Sequence, residues 1–283
     1  MKGHLARVAI QSCASGYSSV NSSVMNSERE VFVSMRNVHQ RFGDNHVLRG
    51  VDLDIYRGET VALLGGSGGG KSVLMKHICG LLCPLEGSVV VDGEEISCKG
   101  ERELAQVRRK VSMMFQGGAL FDSFSVGGNI AFPLREAGEK NEEVIRQKIE
   151  KALEIVRLSG QTDKMPADLS GGMRKRVALA RSIVEMPWMV LYDEPHAGLD
   201  PVTADSIDHL IKDLQCDHQI TNVVVTHEMR SVFRIADRVV FMQEGQIYFE
   251  GSPAEMKESD DPLLRDFIDG RSSRADEWDE GVQ

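Results

Sequence analysis

Apolar residues fall in short blocks along this chain, and the blocks alternate with stretches of helical spacing. Thr60-Val-Ala-Leu-Leu is an unalternating apolar run ending in glycines, as expected of a strand buried on both faces. Trp188-Met-Val-Leu-Tyr, just after Pro187, and Asn222-Val-Val-Val-Thr have the same character. Residues 203–216 between them read as a helix, and so do 72–82 and 141–158, the last with apolar positions three and four apart. Val31-Phe-Val-Ser-Met and Leu48-Arg-Gly-Val-Asp-Leu-Asp-Ile look like strands around the turn Arg41-Phe-Gly-Asp-Asn. Arg238-Val-Val-Phe-Met followed by Gln246-Ile-Tyr-Phe-Glu suggests a closing hairpin. Strands alternating with helices predict an α/β core with a largely parallel sheet. The stretch from about 117 to 185 reads as a mainly helical insertion.

Three segments follow from the composition. Residues 1–30 are poor in large apolar groups and rich in Ser and Asn, which predicts a flexible extension, and Met25 is a candidate alternative start. Residues 31–250 carry the patterned domain, and 251–283 carry a short helix and an acidic tail. In that tail Pro262-Leu-Leu-Arg-Asp-Phe-Ile-Asp-Gly puts Leu263, Leu264, Phe267 and Ile268 on one side of a helix. Two readings stay open for it: a clasp onto a partner subunit or regulator, or a helix packed on its own core.

The 283 residues have a net charge of −10, from 33 Lys and Arg against 43 Asp and Glu. With no basic block to neutralise phosphates, nucleic-acid binding is not expected. No run of about 18 apolar residues exists, so no membrane-spanning helix is predicted. The cysteines, Cys13, Cys79, Cys83, Cys98 and Cys216, are odd in number and scattered. Cys79 and Cys83 are read as sharing a helix face, and reduced thiols in a cytoplasmic setting are the expectation.

Gly65-Gly66-Ser67-Gly68-Gly69-Gly70-Lys71-Ser72 satisfies the phosphate-loop pattern G-x-x-x-x-G-K-[ST]. Glycines let successive backbone N–H groups turn toward phosphate oxygens, and the following helix adds its positive N-terminal end. Lys71 is expected to reach the β- and γ-phosphates of ATP, and the Ser72 hydroxyl to ligate Mg²⁺. Met189-Val-Leu-Tyr-Asp193-Glu194 is an apolar strand ending in two carboxylates. Asp193 is placed to hold Mg²⁺ through water and Glu194 to polarise an attacking water. Leu169-Ser170-Gly171-Gly172-Met173 precedes an amphipathic helix and again offers a hydroxyl, backbone N–H groups and a helix N-terminus to an anion. A capped helix start with a glycine turn is the plainer reading of that segment alone.

Its place between the phosphate loop and the Asp-Glu strand resembles the nucleotide-binding subunit of ABC transporters, over roughly residues 31–250. The resemblance implies a RecA-like P-loop NTPase core with an inserted helical subdomain. It also implies roles for four further residues. Phe42 occupies the place of the aromatic that stacks on adenine. Gln116 looks like the glutamine that senses Mg²⁺ and contacts the permease. Asp200 of Gly198-Leu-Asp looks like the loop that faces a second subunit, and His227 like the switch histidine at the γ-phosphate. Taken singly, Phe42 reads equally as a core aromatic, Gln116 as a solvated polar residue and His227 as a satisfied core histidine. Two positions depart from the family pattern: Met173 stands where Gln is usual, and His196 where Thr is usual.

In that family one subunit's phosphate loop faces another's signature motif, so the resemblance implies a dimer with two bridging ATP molecules. Gln116-Gly-Gly-Ala-Leu-Phe-Asp-Ser and Ser125-Val-Gly-Gly-Asn-Ile-Ala-Phe-Pro-Leu-Arg-Glu closely resemble the Mla/Mce branch. This branch powers traffic of phospholipid or other hydrophobic cargo. The implied partners are a second copy, an integral membrane permease, an MCE-domain protein and a small regulatory subunit. The implied location is the cytoplasmic face of the cell (inner) membrane. An importer for small solutes and a non-transport ABC ATPase remain as alternatives.

Overall fold

The computed structural model describes residues 29–271. The expected extension up to residue 28 and the acidic end from residue 272 lie outside the described residues. In chain order the elements are β1 Val31–Phe42, β2 Asn45–Tyr56, β3 Thr60–Gly65, α1 Lys71–Ile78, β4 Glu86–Val91, β5 Glu94–Glu95, α2 Glu101–Lys110, β6 Val111–Met114 and α3 Val126–Glu136. They continue with α4 Glu142–Ile155, a 3₁₀ turn at Pro166–Asp168, α5 Gly171–Ile183, β7 Met189–Asp193, α6 Pro201–His218, β8 Thr221–Val225 and α7 Met229–Ile235. The chain closes with β9 Arg238–Gln243, β10 Gln246–Gly251, α8 Pro253–Glu258 and α9 Pro262–Asp269.

The strands form two sheets. A six-stranded sheet has the order β10-β9-β3-β8-β7-β6, parallel except for the β9–β10 hairpin. Its central strands β3, β8 and β7 lose their alternation because both faces are covered. On β3, Val61 and Leu63 face one apolar cluster while Ala62 and Leu64 face another. On β7, Met189 and Leu191 share a cluster with α1, whereas Val190 and Tyr192 pack with α5 and α6. The second sheet, β2-β1-β4-β5, is wholly antiparallel and covers the first of these faces together with α1 and α2. The six-stranded sheet is the largely parallel sheet that the sequence predicts, and the antiparallel sheet is an addition to it. Asp92 and Gly93, with φ of 52° and 73°, make the two-residue β4–β5 turn.

Two local expectations are corrected. Helix α1 stops at Ile78 rather than residue 82, because Gly80, with φ of 65°, lets Leu81 N–H bond back to the Lys76 carbonyl (2.8 Å) and Gly80 N–H to that of His77 (3.1 Å). Cys83 therefore lies off the helix, and it is bonded to Cys98, with Cα atoms 4.7 Å apart, instead of being a free thiol. Cys79 stays free and buried, and burial pushes its thiol up to about 11.

Helices α3, α4 and α5 pack on one another across Ile130, Leu134, Ile149, Leu153 and Val177 and form the helical insertion between β6 and β7. Helix α9 forms at the tail pattern, with Leu264 buried and Leu263, Phe267 and Ile268 against Phe241 and Val239. In the described chain its apolar side thus packs on its own core. Among the described residues no helix is long and apolar enough to cross a membrane.

Candidate functional site

Strand register brings the sequence-predicted residues together. Strand β8 lies between β3 and β7, with Leu63 opposite Val225 and Val225 opposite Asp193. The chain leaves all three strands at one edge, where ligands bind in open parallel sheets. Gly65, Glu194 and His227 each follow within two residues of those paired positions.

Gly65 has φ of 138°, and any Cβ there would run into the Met242 carbonyl of the neighbouring β9. Gly70, with φ of 95°, caps α1, and a Cβ there would meet Leu48 at 2.7 Å and the Val47 carbonyl at 3.0 Å. Only glycine fits these two turns. Between them Gly66 and Gly68 face open space, and Gly69 N–H bonds to the Gly66 carbonyl at 3.2 Å. Lys71 is buried, its Nζ bridging the Gly65 and Gly66 carbonyls at 2.8 Å each. Burial lowers its pKa, while the Glu194 and Asp193 carboxylates oppose the shift. Phe42 is exposed at the end of β1, on the hairpin whose other strand touches Gly70 through Val47 and Leu48.

Ser72 Oγ donates to Asp193 Oδ1 across 3.5 Å, an oxygen pair of the kind Mg²⁺ takes. Glu194 N–H bonds to the Val225 carbonyl at 3.0 Å, and its backbone is left-handed at φ of 48°. Its Oε1 is 3.0 Å from His227 Nε2. Burial raises the Glu194 pKa, His227 and Lys71 pull it back, and Asp193 adds to the rise.

The remaining predicted residues form a second group. Ser170 caps α5 by accepting the Met173 N–H at 3.3 Å. Asp200 caps α6, accepting from the N–H groups of Val202 (3.1 Å) and Thr203 (3.0 Å) and from the Thr203 hydroxyl (2.5 Å). These bonds lower the Asp200 pKa. Gly172 joins the two caps, because its Cα faces the Thr203 methyl with no room for a Cβ. Gly171 is exposed beside it, 3.9 Å from Leu199 when given a Cβ. Among the described residues no hydrogen bond or ion pair links Ser170 or Asp200 to the loop 65–72. One chain therefore presents the glycine-rich loop 65–72 and, separately, the capped start of α5 at Ser170.

Residues 48–197 match the ABC transporter family. The chain belongs to that family. It is 38% identical over 241 residues to the "probable ribonucleotide transport ATP-binding protein mkl" of Mycobacterium leprae, covering 85% of this chain and 70% of that protein. It is 37% identical over 238 residues to the "intermembrane phospholipid transport system ATP-binding protein MlaF" of Escherichia coli, covering 84% and 88%. Its fold resembles the dimeric ATP-binding cassette MJ0796 in a post-hydrolysis state bound to ADP and Pi, with a TM-score of 0.72 and 30% identity, covering 78% and 98%.

This ABC ATPase also places residues that the motif reading missed. Lys175, on the buried side of α5, reaches both the Gln116 carbonyl and, at 3.4 Å, the Glu194 carbonyl. Gln116 itself is exposed just past β6. A lysine falling on the apolar side of a helical pattern was the available signal for Lys175. Asn129, fully buried on α3, accepts the Phe121 N–H at 2.7 Å and donates to the carbonyls of Phe121 (3.0 Å), Phe124 (3.1 Å) and Ser125 (3.1 Å). That amide fixes the loop after Gln116, so that Phe121, Phe124 and Phe132 form an exposed aromatic cluster with ring centroids 4.8 to 6.4 Å apart.

Proposed function

We propose that this ABC ATPase works as a pair of copies on a separate integral membrane permease, and that its cargo is phospholipid or a similar hydrophobic molecule. The observation that carries the paired arrangement is the separation of Lys71, Ser72, Asp193, Glu194 and His227 from the Ser170 helix start within one chain. Two half-sites of complementary chemistry suit ATP held between Lys71 of one copy and Ser170 of the partner subunit. The glycines from Gly65 to Gly70 supply backbone N–H groups to the phosphates, and Phe42 offers a ring for the adenine. Asp200 braces the facing cap through Thr203.

In this reading Glu194 accepts a hydrogen bond from the attacking water and orients it in line with the γ-phosphate. His227 leaves Glu194 to hold the γ-phosphate, and Lys71 stabilises the charge that builds on the transferred group. Ser72 and Asp193 would hold Mg²⁺, with Gln116 completing the set; when bound, the ion neutralises charge on the phosphate oxygens. Binding two ATP molecules closes the pair, and loss of the bridging γ-phosphate lets it open.

The exposed Phe121, Phe124 and Phe132 cluster beside Gln116 supports a docking face for the permease, since grouped aromatics at a surface mark partner sites. In this reading the chain works at the cytoplasmic face of the cell (inner) membrane, with an MCE-domain protein and a small regulatory subunit as further partners. Phospholipid cargo rests on the 37% identity to MlaF and on the resemblance of residues 116–136 to the Mla/Mce branch. A small-solute cargo is the second reading, favoured by the name of the mkl relative.

The test is a tagged Glu194→Gln chain purified from its native host in mild detergent with ATP and Mg²⁺, followed by mass spectrometry of what copurifies. A permease, an MCE-domain protein and bound phospholipid are expected. Soluble partners alone would remove the transport reading, and a solute-binding protein would replace the cargo.

A further inference from the structure

His196 is a buried titratable residue with no part in the scheme above, and it stands where the family pattern has threonine. It follows Glu194 by two residues, on the loop that leads to Asp200. Its Nε2 lies 2.7 Å from Asp208 Oδ1 on α6, and its Nδ1 lies 3.4 Å from Thr226 Oγ1. Thr226 directly precedes His227, and its hydroxyl oxygen accepts the backbone N–H of Glu228 at 3.0 Å. Asp208 is buried too, and its other oxygen faces Arg234 of α7 at 3.7 Å. Arg234 also pairs with Asp205.

Glu228 N–H donates to the Thr226 oxygen, and both ring nitrogens of His196 are engaged, Nδ1 with Thr226 Oγ1 and Nε2 with Asp208 Oδ1. The backbone on both sides of His227 is thereby tied to α6, the helix that begins at Asp200. A threonine at position 196 has one short hydroxyl and cannot span from Asp208 to Thr226.

We propose that His196 is a positioning residue for ATP turnover. It links the loop carrying His227 to α6, so that the switch histidine and the Asp200 cap shift together when the second copy and ATP arrive. His196 does not touch nucleotide, and it acts through His227. The proposal rests on the roles given above to Glu194 and His227.

The test measures kcat and KM for ATP and the melting temperature of the full chain in three variants. Thr226→Val removes one link with almost no change of shape. His196→Gln keeps a donor near Asp208 and loses the Thr226 link. The third variant combines both. Thr226→Val and His196→Gln are each expected to lower kcat about tenfold, with KM within about twofold, and the combination to be no worse than either alone. Wild-type kcat in Thr226→Val would overturn the proposal, and so would losses that multiply in the double variant. A kcat that falls only as the melting temperature falls would reduce His196 to a structural residue. If the His196 variants do not fold, Thr226→Val decides by itself. Failure of the underlying reading is distinguishable: Glu194→Gln would then turn over ATP like the wild type.

Discussion

His227 Nε2 lies 3.0 Å from Glu194 Oε1, joining the second residue after β8 to the residue after β7 across the top of the sheet. The contact occupies His227 Nε2 and leaves Glu194 Oε2 open to a water. A γ-phosphate bound at Nε2 would therefore replace a contact already made. The pair is the resting latch of the proposed site.

The Glu194 side of that latch sets a pH dependence. Burial raises its pKa above the ordinary glutamate range, and only the carboxylate can orient water. The value of kcat/KM, which reports groups of the free enzyme, should fall on acidification at a higher pH than a surface carboxylate would cause. The same shift has the opposite consequence for the fold. A raised acid stabilises the native chain through its protonated form, and that contribution is lost as pH rises through the native pKa. A pH profile of kcat/KM with no acid limb above the usual glutamate range would contradict the assignment.

Gly172 gives a steric prediction. Gly172→Ala pushes a methyl into Thr203 Cγ2, and Thr203 is held in place by its bond to Asp200. The α5–α6 junction should lose about 1–3 kcal/mol, read from the melting temperature, and turnover should drop with it. Thr203→Ser removes the offending methyl but keeps the hydroxyl, so the double variant should recover both. Failure of the double variant to recover would mean that Gly172 is needed for another reason.

Much of this was legible in the sequence, and the physical reasons differ from element to element. Strands β3, β7 and β8 are covered on both faces, so they stand out as apolar runs between glycines and carboxylates. The phosphate loop is legible because only glycine fits at Gly65 and Gly70. The region 83–114 carries no clear pattern in the sequence, because β4 opens with Glu86, Gly87 and Ser88, β6 has four residues, and both depend on distant partners. The Cys83–Cys98 bond spans 15 residues and joins segments that only the fold brings together. The contacts of Lys175 and His196 are not legible in the sequence, since their partners Gln116, Glu194 and Thr226 lie 19 to 59 residues away.

Asn129 should separate docking from catalysis. Asn129→Ala strips a buried amide from four backbone groups of the loop 121–125, a loss of about 2–3 kcal/mol to local order. ATP turnover of the chain alone should change little, whereas its recovery with membranes should fall severalfold, measured by flotation. Equal recovery of variant and wild type would move the docking face elsewhere.

The tail helix makes contact with the site. Phe267 stacks edge-on against Phe241 with centroids 4.9 Å apart and lies 6.2 Å from the His227 ring. Phe267→Ala should cost about 2 kcal/mol of stability and loosen His227, lowering kcat with little effect on KM for ATP. Unchanged kcat at a lowered melting temperature would confine α9 to a packing role.

The central claim is that each ATP site is shared by two copies, and sedimentation of Glu194→Gln with and without ATP tests it most directly. The account predicts a monomer without nucleotide and a dimer with ATP, and no dimer when Lys71→Ala or Ser170→Glu is added to the same chain. A monomer at every ATP concentration, or a dimer indifferent to ATP and to both added changes, would contradict it.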